Sequence, residues 1–356
     1  MVAGGHVPTY LPGHIVPEEG PAAIALKPHD LDRRDVSRVL RGRVVNEDGD
    51  PVPRAVIEPM GVRRERSSQF GGLDELGIDP LAVTDDRGDF RLGVGQRGEA
   101  LYMRIKAPFL ATARTDPAAA GPTVHTFTLG PGVTVSGRVV EDGEPLAGVA
   151  LGLVQRDRNS ERFVGDFEYA TDAEGRFAFA NIPPGDAWNL YGLMESLKSH
   201  GAIAVRPLQT GAHGDTVEVG DLEVEPGSRL AGRVVLADGK PVPPGTRVLL
   251  SREDAWDSQT ATAGQDGGFS FAGVPAERVS LSVRVPGYHP SPKNGSFDLL
   301  NQGGLLGKVE GDIAGLRFLL DPGPPPERDF GRFQKEDFEE YRRRQDGPLR
   351  GVPPER

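Results

Sequence analysis

Few residue types in this chain can do chemistry. There is no cysteine, which removes disulfides, thiolate metal sites and a cysteine nucleophile together. The seven histidines (His6, His14, His29, His125, His200, His213 and His289) are scattered, and no two stand at zinc-site spacing. Neither a Gly-x-Ser-x-Gly elbow nor a Ser-x-x-Lys pair occurs. Gly93-Val-Gly-Gln-Arg-Gly98 has dinucleotide-type glycines, but Glu99–Ile105 reads as a strand where a helix should open. Gly303–Lys308 resembles a phosphate loop only loosely, with Gln302 replacing the first glycine and Val309 the metal-binding hydroxyl, and it reads as a loop. Asn46–Asp50 and Asp85–Asp89 cluster carboxylates, yet each offers too few oxygens for calcium, and both read as turns. The expectation is a chain with no catalytic, cofactor-binding or metal-ligating residue.

What remains is surface recognition. Trp256 lies among Asp254, Asp257 and Ser258, a polar setting that favours exposure. With Tyr191 and His200, the residues Trp256, Asp254 and Asp257 are the candidate ligand contacts, since an aromatic ring beside planar polar groups suits a sugar face. Trp188 alternates with Leu190 and is expected in the core. The segment Met194–His200 has no counterpart elsewhere in the chain and is expected to be a loop.

The elements that must position these residues come from an internal repeat. Leu40-Arg-Gly-Arg-Val-Val, Val135-Ser-Gly-Arg-Val-Val and Leu230-Ala-Gly-Arg-Val-Val each lead to an Asp-Gly turn, and their glycines Gly42, Gly137 and Gly232 stand 95 residues apart. A second signal follows in Thr84-Asp-Asp-Arg-Gly-Asp-Phe90, Thr171-Asp-Ala-Glu-Gly-Arg-Phe177 and the eroded Gly264-Gln-Asp-Gly-Gly-Phe269. A third closes each unit at Pro131-Gly132, Pro226-Gly227 and Pro322-Gly323. Units therefore run over 38–132, 133–227 and 228–323. Phe177 and Phe179 alternate with small residues and should face one core. Arg43, Arg138 and Arg233 fall out of phase with the first Val and should lie on the solvent face near carboxylates of a neighbouring strand.

The two signals together resemble the carboxypeptidase regulatory-like domain, most fully over 133–193 through Asp172, Gly175, Phe177, Phe179, Pro183 and Gly185. The third copy keeps Gly267, Phe269, Phe271 and Pro275. The first keeps Asp85, Gly88 and Phe90 but carries an insertion near Ser67–Asp79. The resemblance implies a transthyretin-like β-sandwich and no shared catalytic residues. The expected fold is all-β: three tandem Ig-like, transthyretin-like antiparallel sandwiches, an extended N-terminal arm over 1–37 and a charged Pro-containing tail over 324–356. Within that tail, Glu327–Arg344 could form a short helix carrying Phe330, Phe333 and Phe338.

Composition agrees with many short strands. Gly (48) and Pro (32) are plentiful, hydrophobic residues make up 37%, and aromatics only 6%. A net charge of −11 argues against nucleic-acid binding, and no stretch reaches the length of a membrane span. The start Met1–His6 lacks a basic region and an apolar core, so no signal peptide is read there. That leaves a cytoplasmic protein, or one of the cell envelope or exterior whose leader is not in this sequence. The expected function is a non-enzymatic spacer or adhesion module with a protein or glycan partner; the alternative is a carbohydrate-binding module.

Overall fold

The computed structural model describes residues 31–65, 67–294, 304–324 and 349. The tail helix expected over Glu327–Arg344 lies outside the described residues, as does most of the N-terminal arm. Of that arm, residues 31–37 are described. They end in a 3₁₀ turn, Val36–Arg38, which Asp35 caps by accepting from the Ser37 backbone N–H at 3.0 Å.

The repeat signals become the same three strands in every unit. An opening strand (Val39–Asn46, Val133–Glu141, Ser228–Leu236) pairs antiparallel with the Phe-containing strand (Asp89–Gly93, Arg176–Ile182, Gly268–Val274). Its other side pairs with the closing strand (Val124–Leu129, Thr216–Glu223, Ile313–Pro322). That last pairing is parallel, whereas all others among the described strands are antiparallel. A second sheet completes each unit, built on Val56–Arg64 with Ala100–Lys106, on Ala150–Gln155 with Ala187–Gly192, and on Arg247–Arg252 with Arg278–Val283. The chain is thus all-β, with three tandem two-sheet units and three separate apolar cores.

The motif residues have physical reasons. Gly42, Gly137 and Gly232 stand in register with Phe90, Phe177 and Phe269, so a side chain there would collide with the facing strand's ring or with the closing strand. Gly175 has φ +70°, and an added Cβ would come within 2.6 Å of the Val139 carbonyl oxygen. Thr171 Oγ1 donates to the Leu146 carbonyl and accepts from the Val149 N–H; Thr84 does the same between Val52 and Ala55. Asp172 Oδ1 accepts from the Glu174 and Arg176 N–H groups, and Asp85 Oδ1 from those of Arg87 and Asp89. These acids close turns. Phe177 and Phe179 are buried 5.9 Å apart, edge to face.

The recurring arginines lie on the solvent face. Arg43 grips Asp89 with two bonds of 2.6 and 3.0 Å, Arg138 grips Asp221 with two of 3.0 and 2.7 Å, and Arg233 meets Asp266 at 2.8 Å.

Two local expectations are corrected. Leu305–Lys308 is a strand, because Leu305 and Leu306 bury their side chains while the backbone pairs with Arg278–Leu281. Within Met194–His200, residues Met194–Leu197 form one helical turn that buries Met194 and Leu197.

Candidate functional site

Tyr191, Asp254, Trp256 and Asp257 come together, and they do so where the second unit meets the third. Along Ala187–Gly192, Trp188 and Leu190 enter the core, so Asn189 and Tyr191 point from the opposite face. The Tyr191 ring lies over Gly152 on the neighbouring strand, space that no other residue would leave. Against this face sits the loop 253–257 of the third unit. Ala255 packs with Val154 and Tyr191, and Asn189 Nδ2 donates to the Asp254 carbonyl at 2.7 Å.

The centre of this joint is Arg252, whose side chain is 0% exposed. Its Nη1 donates to the Gly192 carbonyl at 2.6 Å and to Asp257 Oδ2 at 3.2 Å, Nη2 donates to the Ile203 carbonyl at 3.2 Å, and Nε donates to Glu277 Oε1. Asp257 Oδ2 also accepts from the Met194 N–H at 3.0 Å, and Glu277 Oε2 from the Val205 N–H at 3.3 Å. Both carboxylates therefore bridge the two units. A buried charge needs such complete pairing, because an unpaired one is very costly.

The candidate contacts consequently differ in access. Tyr191 is 1% exposed, and burial pushes its hydroxyl well above the ordinary tyrosine range. Asp257 is enclosed beside Arg252. The Asp254 carboxylate accepts from Arg278 Nη2 at 2.8 Å. Trp256 remains 52% exposed, its ring 5.5 Å from that of Phe163 and 5.3 Å from the Arg158 guanidinium. His200 is tied instead to Glu141 of its own unit, Nδ1 to Oε2 at 3.0 Å.

A comparable joint links the first unit to the second, and no motif or repeat signal had marked its residues. Glu161 accepts from Tyr102 at 2.9 Å and from Ser68 and Arg63 at 3.2 Å, and the Tyr102 bond first of all holds its carboxyl below the usual range. Arg104 Nη1 donates to the Val164 carbonyl at 2.8 Å. Arg114 lies over Phe70 and Tyr102 and donates to the Ser160 carbonyl, with burial bringing its pKa down to about 10. Ser68 and Phe70 belong to the insertion of the first unit, so departure from the repeat was the one clue available.

Among the described residues no group of three His, Asp or Glu side chains could hold a metal ion, and no helix is long and apolar enough to cross a membrane. The arrangement holds neighbouring units against each other.

Comparison with known families agrees with the repeat motif. Residues 229–298 match the carboxypeptidase regulatory-like domain. The match lies within the third unit. The motif was fullest in the second unit, yet the match falls on the third, which has Gly264 where the turn aspartate stands in the others. No curated protein matches the chain. Similar solved structures include the Bacillus anthracis TIE protein (11% identity, 80% of this chain and 50% of that one, TM-score 0.22). A streptococcal ancillary pilin follows at 13% identity, 80% of this chain and 99% of that one, TM-score 0.25. GBS52, the minor pilin of Streptococcus agalactiae, has 14% identity, 55% and 98% coverage and a TM-score of 0.26. The chain spans half the length of the Bacillus anthracis protein. At these scores the likenesses carry no argument about function.

Proposed function

We propose that this chain is a non-enzymatic spacer and interaction module whose three sandwiches are held in fixed relation. The observation that supports this reading is Arg252. A fully buried guanidinium satisfied by two backbone carbonyls of one unit and two carboxylates of the next makes a joint that resists rotation. The reading includes a place at the cell envelope or outside it, where a stiff tandem array has distance to span; fractionation of the native host tests that part.

Small-angle scattering tests the spacer. Sandwiches of ~35–40 Å each, set end to end, give a maximum dimension of about 100 Å. A maximum dimension near that of a compact sphere of the same mass would overturn the proposal. Repurified protein should also turn over neither peptides nor esters. Saturable hydrolysis abolished by one point substitution would make it an enzyme.

Carbohydrate binding is the second reading, supported by the half-exposed ring of Trp256. It ranks lower because Phe163 and Arg158 already pack on that ring. Titration with oligosaccharides decides: saturable heat that vanishes in Trp256→Ala would move this reading to first place.

A further inference from the structure

The three closing strands occupy equivalent places, each paired on one side with its opening strand, and they differ in what becomes of the other side. An exposed strand edge is a template for another strand, and proteins ordinarily blunt it with charge, a bulge or a cover.

In the second unit the closing strand Thr216–Glu223 bears Glu218, Asp221 and Glu223, and it is bulged at Gly220, where φ is +71°. In the third unit the edge is covered. Tyr288–Pro290 pairs with Leu320–Pro322, and the Asn294 side chain completes the cover by donating to the Leu319 carbonyl and accepting from its N–H, both at 2.9 Å.

The first unit uses neither device. Val124-His-Thr-Phe-Thr-Leu129 runs in unbroken register with Arg41–Asn46, contains no acid, lysine, arginine or proline, and among the described residues pairs with no other strand. Val124 is 54% exposed, and Thr126 and Thr128 are exposed on the same face.

We propose that this edge pairs with the same edge of a second copy of the chain, antiparallel about a two-fold axis at Thr126. That register sets Thr126 against Thr126, Val124 against Thr128, and His125 against Phe127, which are neutral pairs suited to a sheet. The equivalent operation on the second unit would set acids against acids. Charge across the chain favours the same place. Residues 38–132 carry 13 basic and 13 acidic side chains and 228–323 carry 10 and 10, while 133–227 carry 7 and 16. Repulsion thus disfavours pairing at the second unit, and of the two neutral units only the first leaves its closing edge uncovered among the described residues. The inference stands on the edge alone and does not require rigid joints.

Sedimentation equilibrium on the full chain tests it, from about 1 µM to about 1 mM. The wild type should rise with concentration from 38.1 kDa towards twice that mass. Thr126→Lys and Thr126→Glu should each stay monomeric with unchanged circular dichroism, and an equimolar mixture of the two should dimerise again. A wild type that stays monomeric throughout overturns the proposal, whether the edge is bare or filled by another segment of the same chain. Variants that dimerise like the wild type, or a mixture that does not recover, overturn it too.

Discussion

The guanidinium carbon of Arg252 stands 5.3 Å from the centre of the Tyr191 ring, and that ring in turn covers Gly152. Three residues, from two strands of one sandwich and one strand of the next, thus form a stack across the joint. Removing the arginine would leave Asp257 and Glu277 without their shared cation. Arg252→Ala should therefore cost on the order of 3–5 kcal/mol, the usual penalty for breaking a buried pair. The urea midpoint of the third domain reads this loss, and a midpoint equal to the wild type would mean that water already reaches the site.

Turn glycines allow a sharper test, because two of them share a backbone conformation and differ only in surroundings. Gly143 (φ +81°) has nothing within 4 Å of an added Cβ, whereas at Gly175 (φ +70°) that atom would press on the Val139 carbonyl oxygen. Gly143→Ala should cost roughly 1–2 kcal/mol, the strain of a left-handed residue alone. Gly175→Ala should cost more, since backbone must also move. Equal losses in thermal unfolding would show that the contact is relieved without strain.

Aspartates should titrate on opposite sides of their ordinary value of 3.8. The hydrogen bond from Arg138 lowers Asp221, and that from Arg43 lowers Asp89. Their contribution to stability is present above the unfolded pKa and is lost as pH falls through the lowered folded values. Asp186 has the reverse sign. Burial first, then the nearby Asp157 charge, raises it, so its contribution holds below the unfolded pKa and is lost as pH rises through the folded value. Carboxyl carbon NMR should give Asp221 and Asp89 midpoints below 3.8 and an Asp186 midpoint above it. In Arg138→Ala the Asp221 midpoint should climb while that of Asp89 stays; no movement would show that the pair is broken in solution.

How much of this was legible in the sequence depends on distance along the chain. Gly42, Gly137 and Gly232, the Thr-Asp turn residues and the paired phenylalanines act within one unit, and repetition exposed them three times over. The outward arginines were legible for the same reason, since strand alternation fixes their face. Arg252 and Glu161 were not. Each acts on a neighbouring unit, Arg252 from the end of its strand and Glu161 from the connection after the equivalent strand. Each is a residue type that the other copies do not repeat there, so neither repetition nor periodicity marks it. Trp256 and its acidic neighbours did stand out as a cluster, but sequence gives no way to tell an open loop from one pressed against the next domain. The cover on the last closing strand was equally invisible, because the Asn294 side chain bonds to Leu319 backbone groups far along the chain.

Junction glycines yield the last prediction. Gly227 follows Pro226, and a Cβ added to it would lie 2.6 Å from the Gly273 Cα. Gly273 is itself a bulge residue (φ +67°), placed where Ser228 pairs with Val274 and Leu230 with Phe271. A Cβ on Gly273 would reach within 2.7 Å of the Lys198 Cα and 2.8 Å of the Gly201 carbonyl, both in the second unit. Backbone thus meets backbone on both sides, and no rotamer change can relieve a methyl group placed there. The first junction repeats the plan, with Gly132 against the Asn181 bulge and the Thr112 N–H of the first unit donating to the Asn181 carbonyl at 3.0 Å. Gly227→Ala should cost about 1–3 kcal/mol as overpacking. It should also swing the third unit away from the second, because the two are separated by a single layer of backbone. Spin labels on Glu195 and Ser258, both exposed, would report a broader distance distribution than in the wild type. If the distribution keeps its width while stability falls, the methyl group is absorbed inside the third unit and the junction glycine serves folding rather than alignment.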